Sequence, residues 1–308
     1  MNINILRITS AILLLLLLFQ SCEKDEDGKV EVINDTPQLL FKSSFNNGVE
    51  VSKTPITGNY FKTHLTGEDE GYNWSANFPG ESDKNAFNFL VNDIDNLNEY
   101  IDVSIVEAGV NTKALRLEYK KNDISTSANS RVQYNAWAKQ EAQLASDRFE
   151  QIYIKYKLKT NFTNYDKNWR YLMEWRTIDE EQGWVLVMEK ISNTDNFALR
   201  WHANKLKNGS KQYPNLWSVK SPDGFIVPQG EWFELEVYWK LSANKDEARN
   251  VVAINGKIII NHLGANKLEN NMRFWNPFKV YGAKGVSLIT NVEIWNNIPE
   301  KSILKESI

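Results

Sequence analysis

Apolar and polar residues alternate with a period of two along much of the chain after residue 39, which is typical of β-strands with one buried face. In segment 114–120, Leu115, Leu117 and Tyr119 share one face and charged residues the other. Similar alternation predicts strands at 131–135, 149–160, 169–177, 184–190, 197–204, 232–240, 251–260 and 279–281. Only 136–147 looks helical. The pattern predicts an all-β protein, a two-sheet sandwich or jelly roll, with a hairpin turn at Asn255 and Gly256.

Aromatic residues are abundant, with 11 Trp, 12 Tyr and 14 Phe among 308 residues. Rings stack on the C–H faces of sugars, but they also fill the core of an ordinary sandwich, so composition alone does not separate these two uses. Alternation places Trp175 and Trp201 on apolar faces, and we predict that both belong to the core. Sugar-stacking rings are better sought in predicted loops, at Trp74, Trp137, Trp217 and Trp275.

The charge and the motifs of the chain exclude several classes of protein. A formal net charge of −3 gives no electrostatic reason to expect a nucleic acid partner. No His-x-x-x-His motif, cysteine cluster or Gly-rich phosphate loop is present, so neither catalytic zinc nor a nucleotide is expected. We therefore expect that no cofactor is required, although a structural Ca²⁺ ion in the acidic, amide-rich loops is compatible with the sequence. A monomer is the expected state, although the sequence does not establish it.

The first residues form a separate segment. Arg7 is followed by an apolar run at 11–19, Ser21 and the only cysteine, Cys22. This pattern predicts a secretory signal at 1–21 that is too short to span a membrane. The junction resembles the lipobox of bacterial lipoproteins, and the Lys-Asp-Glu-Asp run after it resembles the signal that sends Bacteroidetes lipoproteins to the outer face of the outer membrane. A stray thiol in a cleaved leader is the alternative interpretation of Cys22.

The lipoprotein resemblance implies a lipid on Cys22 and an outer-membrane anchor that faces the extracellular side. Residues 22–36 are polar and acidic and are predicted to be a flexible tether. The folded domain is expected at 37–300 and a polar tail at 301–308. Because no cysteine remains after Cys22, no disulfide can stabilise this domain, which must depend on its core.

Four predicted strands have polar faces that are rich in hydrogen-bond donors. These faces contain Arg131, Gln133 and Asn135; Arg170, Glu174 and Arg176; Arg200, His202 and Asn204; and Lys279 and Tyr281. The mixed polar face of 232–240 is instead typical of a solvated convex surface and contains Glu234, Glu236, Tyr238 and Lys240. If the four donor-rich strands lie in one sheet, they line a basic concave groove that attracts a polyanion.

A basic groove of this kind suits a polymer of uronic acids. Arginine pairs with both oxygens of a sugar carboxylate. The matching reaction is β-elimination, in which the carboxylate is neutralised, a base removes the neighbouring proton and an acid protonates the leaving oxygen. Tyr281 and His202 are candidates for the proton transfers, and Arg131 or Arg176 for the neutralisation. The expected substrate-binding residues are Gln133, Asn135, Arg200, Lys279 and Asn204.

At these residues the chain resembles the jelly-roll, concanavalin A-like polysaccharide lyases, the group of alginate, glucuronan, heparin and some ulvan lyases. Residues 130–133 are similar to its Arg-Ser/Thr-Glu-Leu strand, with Gln133 in place of Glu. Residues 172–176 stand where these enzymes have Gln-Ile-His or Gln-Trp-His, with Arg176 in place of His. Residues 277–282 are similar to the strand that supplies the catalytic tyrosine, which implies this role for Tyr281.

Two further segments, 228–233 and 253–257, resemble the Gly-x-Trp and Asn-Gly-Lys elements of concanavalin-like lectin and lyase domains. This part of the resemblance concerns the fold rather than catalysis. It implies the same two-sheet sandwich with a concave ligand groove that the alternation predicts.

Three hypotheses about function remain open. The first is a surface-anchored lyase that cleaves an anionic polysaccharide such as ulvan, glucuronan or alginate. The second is a non-catalytic glycan-binding lipoprotein of a polysaccharide-utilisation system, favoured by the missing His at position 176. The third is a glycoside hydrolase, which requires two acids roughly 5 to 10 Å apart across the groove.

The candidate site residues also have ordinary structural interpretations. Tyr281 could be a half-buried aromatic residue at a sheet edge, and His202 a surface imidazole. The arginines at 131 and 176 could form cross-strand ion pairs with Glu174 and Glu189.

Overall fold

The computed structural model describes residues 36–54, 62–78, 87–90, 101–120, 131–136, 151–161, 169–176, 182–205, 215–266, 278–282 and 285–308. Asp35–Ile308 forms one compact unit. The predicted leader with Cys22, nearly all of the tether and segment 137–147 of the predicted helix lie outside these residues. In the described ranges, no helix has the length and apolar character needed to cross a membrane.

Strands account for most of the described chain. In chain order they are β1 (Leu39–Ser43), β2 (Glu50–Thr54), β3 (Lys62–Thr66), β4 (Glu68–Asp69), β5 (Tyr72–Asn73), β6 (Phe87–Leu90), β7 (Ile101–Gly109), β8 (Thr112–Tyr119), β9 (Arg131–Ala136), β10 (Gln151–Asn161), β11 (Trp169–Arg176), β12 (Gln182–Lys190), β13 (Phe197–Lys205), β14 (Asn215–Lys220), β15 (Trp232–Lys240), β16 (Arg249–Ile254), β17 (Lys257–His262), β18 (Phe278–Gly282) and β19 (Gly285–Trp295). Among the described residues, the helical elements are α1 (Trp74–Asn77) and a 3-10 helix at Ile303–Ser307.

The larger strands form two antiparallel sheets. An eight-stranded sheet has the order β17-β16-β15-β10-β19-β8-β7, with β1 also paired to β19. A seven-stranded sheet has the order β14-β13-β12-β11-β18-β9-β6. Two hairpins, β2–β3 and β4–β5, complete the pairing among the described residues. The predicted all-β, two-sheet jelly-roll class is confirmed.

A tryptophan cluster joins the two sheets. Trp175 and Trp201 belong to the seven-stranded sheet, and their ring centroids lie 6.0 Å apart. Trp239 comes from the eight-stranded sheet, and its ring centroid lies 4.1 Å from that of Trp175. All three side chains are fully buried. The prediction that Trp175 and Trp201 are core residues is therefore confirmed.

The predicted hairpin in 251–260 is also confirmed. The segment divides into β16 and β17 at Asn255 and Gly256, whose φ angles are +50° and +70°. A two-residue turn with positive φ at both positions matches the twist of the flanking strands, which is why an Asn-Gly pair is favoured here.

The polar face of β15, which was predicted to be solvated, is partly covered. Glu236 and Tyr238 of β15 are only 4% and 2% exposed. The Tyr153 hydroxyl donates to Glu236 Oε2 at 2.6 Å, and the Ser302 hydroxyl donates to the same oxygen at 2.5 Å. Leu304 of the C-terminal segment packs into the same cluster as Tyr238. The prediction of a solvated face is wrong for Glu236 and Tyr238 because the C-terminal residues pack over this part of the sheet.

Asp69 stabilises the turn after β1 through buried hydrogen bonds. Its carboxylate accepts bonds from the Ser43 hydroxyl at 3.1 Å, from the Ser44 amide at 2.6 Å and hydroxyl at 3.0 Å, and from the Asn47 side chain at 3.4 Å. We expect Asp69→Ala to lower the free energy of unfolding in urea by about 2–4 kcal/mol, because these buried donors lose their acceptor.

The matched control for this prediction is Glu68→Ala, since Glu68 is the exposed neighbour on the same short strand. It should change the free energy of unfolding by no more than about 0.5 kcal/mol. Equal losses in the two variants would show that the hydrogen bonds to Asp69 do not stabilise the fold.

Candidate functional site

The four donor-rich strands lie in the same sheet. They correspond to β9, β11, β13 and β18, all members of the seven-stranded sheet, with β12 between β11 and β13. The contrasting strand, β15, belongs to the other sheet. This is the arrangement that the hypothesis of a shared binding surface requires.

Strand register shows which positions lie on the outer face of this sheet. Trp175 pairs with Trp184, and both are buried in the core between the sheets. One position earlier along β11, Glu174 lies opposite Val185, which in turn lies opposite His202. Because successive positions of a strand lie on opposite faces, Glu174 and His202 share the outer face.

The same argument extends to β18 and β9. Val280 is buried and pairs with Met173 of β11 and with Tyr134 of β9. The neighbouring positions, on the outer face by alternation, pair Tyr281 with Gln133 and Lys279 with Asn135. The strand positions of these four candidates therefore lie on the same face as His202.

A β-bulge changes the prediction for β11. Arg176 and Asn204 both lie opposite Gly183, on the outer face. The register shifts between Tyr171 and Met173, however, so that the position of Arg170 lies opposite Met188, a core residue. The prediction that Arg170 shares a face with Glu174 is wrong because the bulge reverses the alternation.

Among the predicted site residues, the side chains of His202 and Arg200 belong to the described part of the structure. The others are described as strand positions only, and their side chains lie outside it. These are Arg131, Gln133, Asn135, Arg176, Asn204, Lys279 and Tyr281.

A charged network crosses the outer face at β12, β13 and β14. Glu189 accepts from Arg200 Nη1 at 3.3 Å and lies 2.6 Å from Lys220 Nζ. Arg200 Nε also donates to the Ser218 hydroxyl at 2.7 Å. Two cations thus share one carboxylate, which leaves a local excess of positive charge.

Sequence reasoning did not find Lys220 or Ser218, because β14 was not predicted as a strand. The signal was present, since Trp217 and Val219 pack against the core while Ser218 and Lys220 are exposed. That alternation over four residues is short, and it lies next to a turn-rich stretch.

His202 lies beside this network and is half-buried. Its Nδ1 atom is buried and has no hydrogen-bond partner among the described residues. Burial, and secondly the charge of Arg200, lower the pKa of His202 to about 4, although Glu174 and Glu189 oppose this shift. The imidazole is therefore neutral at neutral pH.

The lowered pKa predicts how stability depends on pH. Between pH 6.5 and 4 the unfolded state binds a proton at His202 that the folded state does not, so stability is lost as the pH falls through this interval. The loss attributable to His202 is at most about 3 kcal/mol. We expect urea unfolding at pH 7 and at pH 4.5 to show a smaller loss in His202→Gln than in the unmodified protein.

His262 provides the comparison, because burial also lowers its pKa but it lies at an edge of the other sheet. His262→Gln should leave the contribution of His202 in place. If the His202 variant and the unmodified protein lose the same stability over this interval, the low pKa is wrong.

Two of the tryptophans proposed as sugar-stacking residues make contacts within the fold. Trp74 is completely buried, packs against Phe41 at 4.7 Å and donates its Nε1–H to the Ser43 hydroxyl. Trp217 lies in β14, with its ring centroid 4.6 Å from that of His262. The prediction that Trp74 occupies a loop available to a sugar is wrong, because this residue forms part of the core. Trp137 and Trp275 lie outside the described residues.

The described side chains contain no group of three or more His, Cys, Asp or Glu residues that could hold a metal ion. A structural Ca²⁺ ion therefore remains a prediction. The outer-face acids Glu174 and Glu189 occupy well-separated strand positions. Glu189 lies four positions beyond the residue opposite Glu174, roughly 13 Å along the backbone of the strand at about 3.3 Å per residue.

No family model matches the chain, and no curated protein matches it. Among solved structures, it is similar to the alginate lyase Aly36B, with 11% identity, a TM-score of 0.44 and coverage of 62% of this chain and 82% of that chain. An alginate lyase from a Chlorella virus has 9% identity, a TM-score of 0.44 and coverage of 64% and 93%. An endo-β-1,4-glucuronan lyase from the fungus Trichoderma reesei has 12% identity, a TM-score of 0.42 and coverage of 63% and 86%. The structural neighbours thus include alginate and glucuronan lyases.

Proposed function

We propose that this protein is a polysaccharide lyase that cleaves an anionic, uronate-containing polysaccharide, such as ulvan, glucuronan or alginate, by β-elimination. The observation that supports this most strongly is the assembly of β9, β11, β13 and β18 in one sheet. Their outer-face positions are occupied mainly by arginine, lysine, histidine, tyrosine and amide residues, which suit a carboxylated sugar.

The charge of this face favours a polyanion even though the whole chain is slightly acidic. Its cationic positions are Arg131, Arg176, Arg200, Lys220 and Lys279, against the two carboxylates Glu174 and Glu189. Five positive positions minus two negative positions leave an excess of three. A local excess of this kind attracts an anionic polymer regardless of the net charge of the protein.

The first step of the proposed reaction is neutralisation of the uronate carboxylate. Arg131 or Arg176 supplies the guanidinium group, whose planar fork can pair with both carboxylate oxygens. Gln133 supplies an amide for the same group. Neutralising the carboxylate makes the proton on the adjacent ring carbon, C5, easier to remove.

The second step is the proton transfer. Tyr281, acting as the phenolate, takes the C5 proton; the C4–O bond breaks, a C4=C5 double bond forms and Tyr281 returns the proton to the leaving oxygen. A pKa of about 4 makes His202 a weak base at neutral pH, so we assign it a hydrogen bond to the substrate. A bound carboxylate would raise its pKa again.

We also propose that a lipid on Cys22 anchors the protein to the outer membrane, facing the extracellular side. The support is the leader and lipobox-like junction in the sequence. A surface enzyme in this position would meet polymers too large to enter the cell.

The experiment that tests the function is an ultraviolet absorbance assay for the unsaturated uronate product, with purified full-length protein on alginate, glucuronan, ulvan and glycosaminoglycans. We expect absorbance to rise with time on at least one uronate polymer and to stay flat on a neutral glucan. A flat trace on every uronate polymer would overturn the lyase proposal.

A second candidate is a non-catalytic glycan-binding lipoprotein. One observation favours it: Arg176 stands where the lyase resemblance expects His. A flat absorbance trace together with slower migration of the protein in gels that contain one of these polymers would support this candidate instead.

A further inference from the structure

We infer that a cleft at the edge of the outer face binds a second anionic sugar unit, one that carries a carboxylate or a sulfate group. This inference rests on the proposed function, because it treats the cleft as an extension of the same polysaccharide site. It assigns the cleft a role in selecting the polymer rather than in the proton transfers.

The cleft lies between the β12–β13 turn and the loop that follows β14. Its volume is about 680 Å³, within the range of sites for small-molecule ligands. Its lining includes Glu189, Lys190, Asn193, Lys220, Asp223 and Phe225. Glu189 and Lys220 also belong to the network around Arg200, so the cleft opens directly beside the candidate site.

Hydrogen bonds hold both walls of the cleft. In the β12–β13 turn, the Ile191 amide donates to the Asn196 carbonyl at 2.9 Å. In the opposite wall, the Ser221 amide donates to the Leu199 carbonyl at 2.7 Å, and the Leu199 amide donates to the Ser221 hydroxyl at 3.1 Å. A cleft whose walls are already ordered loses little conformational entropy when a ligand binds.

The cations of the cleft are available to an anionic ligand. Lys220 is 59% exposed and shares Glu189 with Arg200, so this trio keeps one unbalanced positive charge. Lys190 lies 3.5 Å from Asp195, whose side chain is fully exposed, and an ion pair of this kind contributes little. Asp223 adds one carboxylate to the wall. A carboxylate or sulfate could therefore bind the exposed Lys220, which already pairs with Glu189 at 2.6 Å, together with Lys190, whose pair with Asp195 is weak.

The test is calorimetric titration of full-length protein in the Tyr281→Phe background, where cleavage is expected to be lost. The probes are an oligoglucuronate, a sulfated galactan oligosaccharide and a neutral gluco-oligosaccharide. We expect the double substitution Lys190→Gln, Lys220→Gln to raise the Kd for at least one anionic probe about tenfold. Lys245→Gln, an exposed lysine in the β15–β16 loop, is the matched control and should leave the Kd unchanged.

The two anionic probes distinguish the sources of charge. A loss confined to the oligoglucuronate would identify a carboxylate site, and a loss confined to the sulfated galactan a sulfate site. Unchanged Kd values for both anionic probes, or an equal loss for the neutral probe, would overturn the inference.

The inference and the proposed function can fail separately. Product formation by the unmodified protein together with unchanged Kd values in the double variant would overturn the cleft assignment alone. Absence of the unsaturated product together with a weakened Kd for an anionic probe would overturn the lyase proposal and support the cleft as a binding site.

Discussion

Replacing Tyr281 with Phe is expected to lower the rate of unsaturated product formation by at least about 10²-fold. The substitution removes the hydroxyl that takes and returns the proton, while the ring and the strand position remain. Tyr281 lies on β18, between β11 and β9, and pairs with Gln133, so the proposed base and a proposed carboxylate-binding amide are adjacent positions. The measurement is the initial rate on the polymer that the unmodified protein cleaves fastest.

Tyr72→Phe is the control for this loss, because Tyr72 is a half-buried tyrosine that packs against Phe41 of β1, a strand of the eight-stranded sheet. It should retain the full rate. If Tyr281→Phe also retains it while the unmodified protein is active, Tyr281 is not the proton carrier, and His202 becomes the next candidate.

Trp239→Ala is expected to lower the free energy of unfolding by about 3–5 kcal/mol. The indole is fully buried and packs against Trp175 of the opposite sheet, so its removal leaves a cavity between the two sheets. Urea unfolding followed by far-ultraviolet circular dichroism would measure the loss. The near-ultraviolet spectrum of the folded variant should also weaken, because the tryptophan cluster loses one ring.

Trp232, the first residue of the same strand, provides the comparison. Trp232→Ala removes the same chemical group from a half-buried position, and we expect it to cost clearly less than Trp239→Ala. Equal costs would show that the cavity between the sheets contributes little.

Alternation in the sequence predicted strands best where one face is uniformly buried. The predicted strand at 232–240 coincides with β15. Alternation did not predict β19, although this strand lies between β10 and β8. Asn291 has a φ of +53° at an irregularity in the pairing, and the polar residues Ser287 and Thr290 are buried. A bulge and buried polar residues together remove the period-two signal.

Local alternation predicted which strand positions form the candidate site, but it did not predict the contacts or the burial of the side chains there. The partners of Glu189 depend on the register of β13 and on β14, which was not predicted. The pKa of His202 depends on its burial, which no local pattern reports. The cover over Glu236 comes from Ser302, 66 residues further along the chain.

The position of β19 also affects how the protein is made. The last of the described strands is the one between β10 and β8, and β1, the first described strand, pairs with it as well. Until residues 285–295 have left the ribosome, these three strands lack a shared neighbour, so the larger sheet cannot close during synthesis. We expect a chain whose larger sheet closes only at this late strand to be more easily threaded through a secretion channel, as the leader predicted at 1–21 would require.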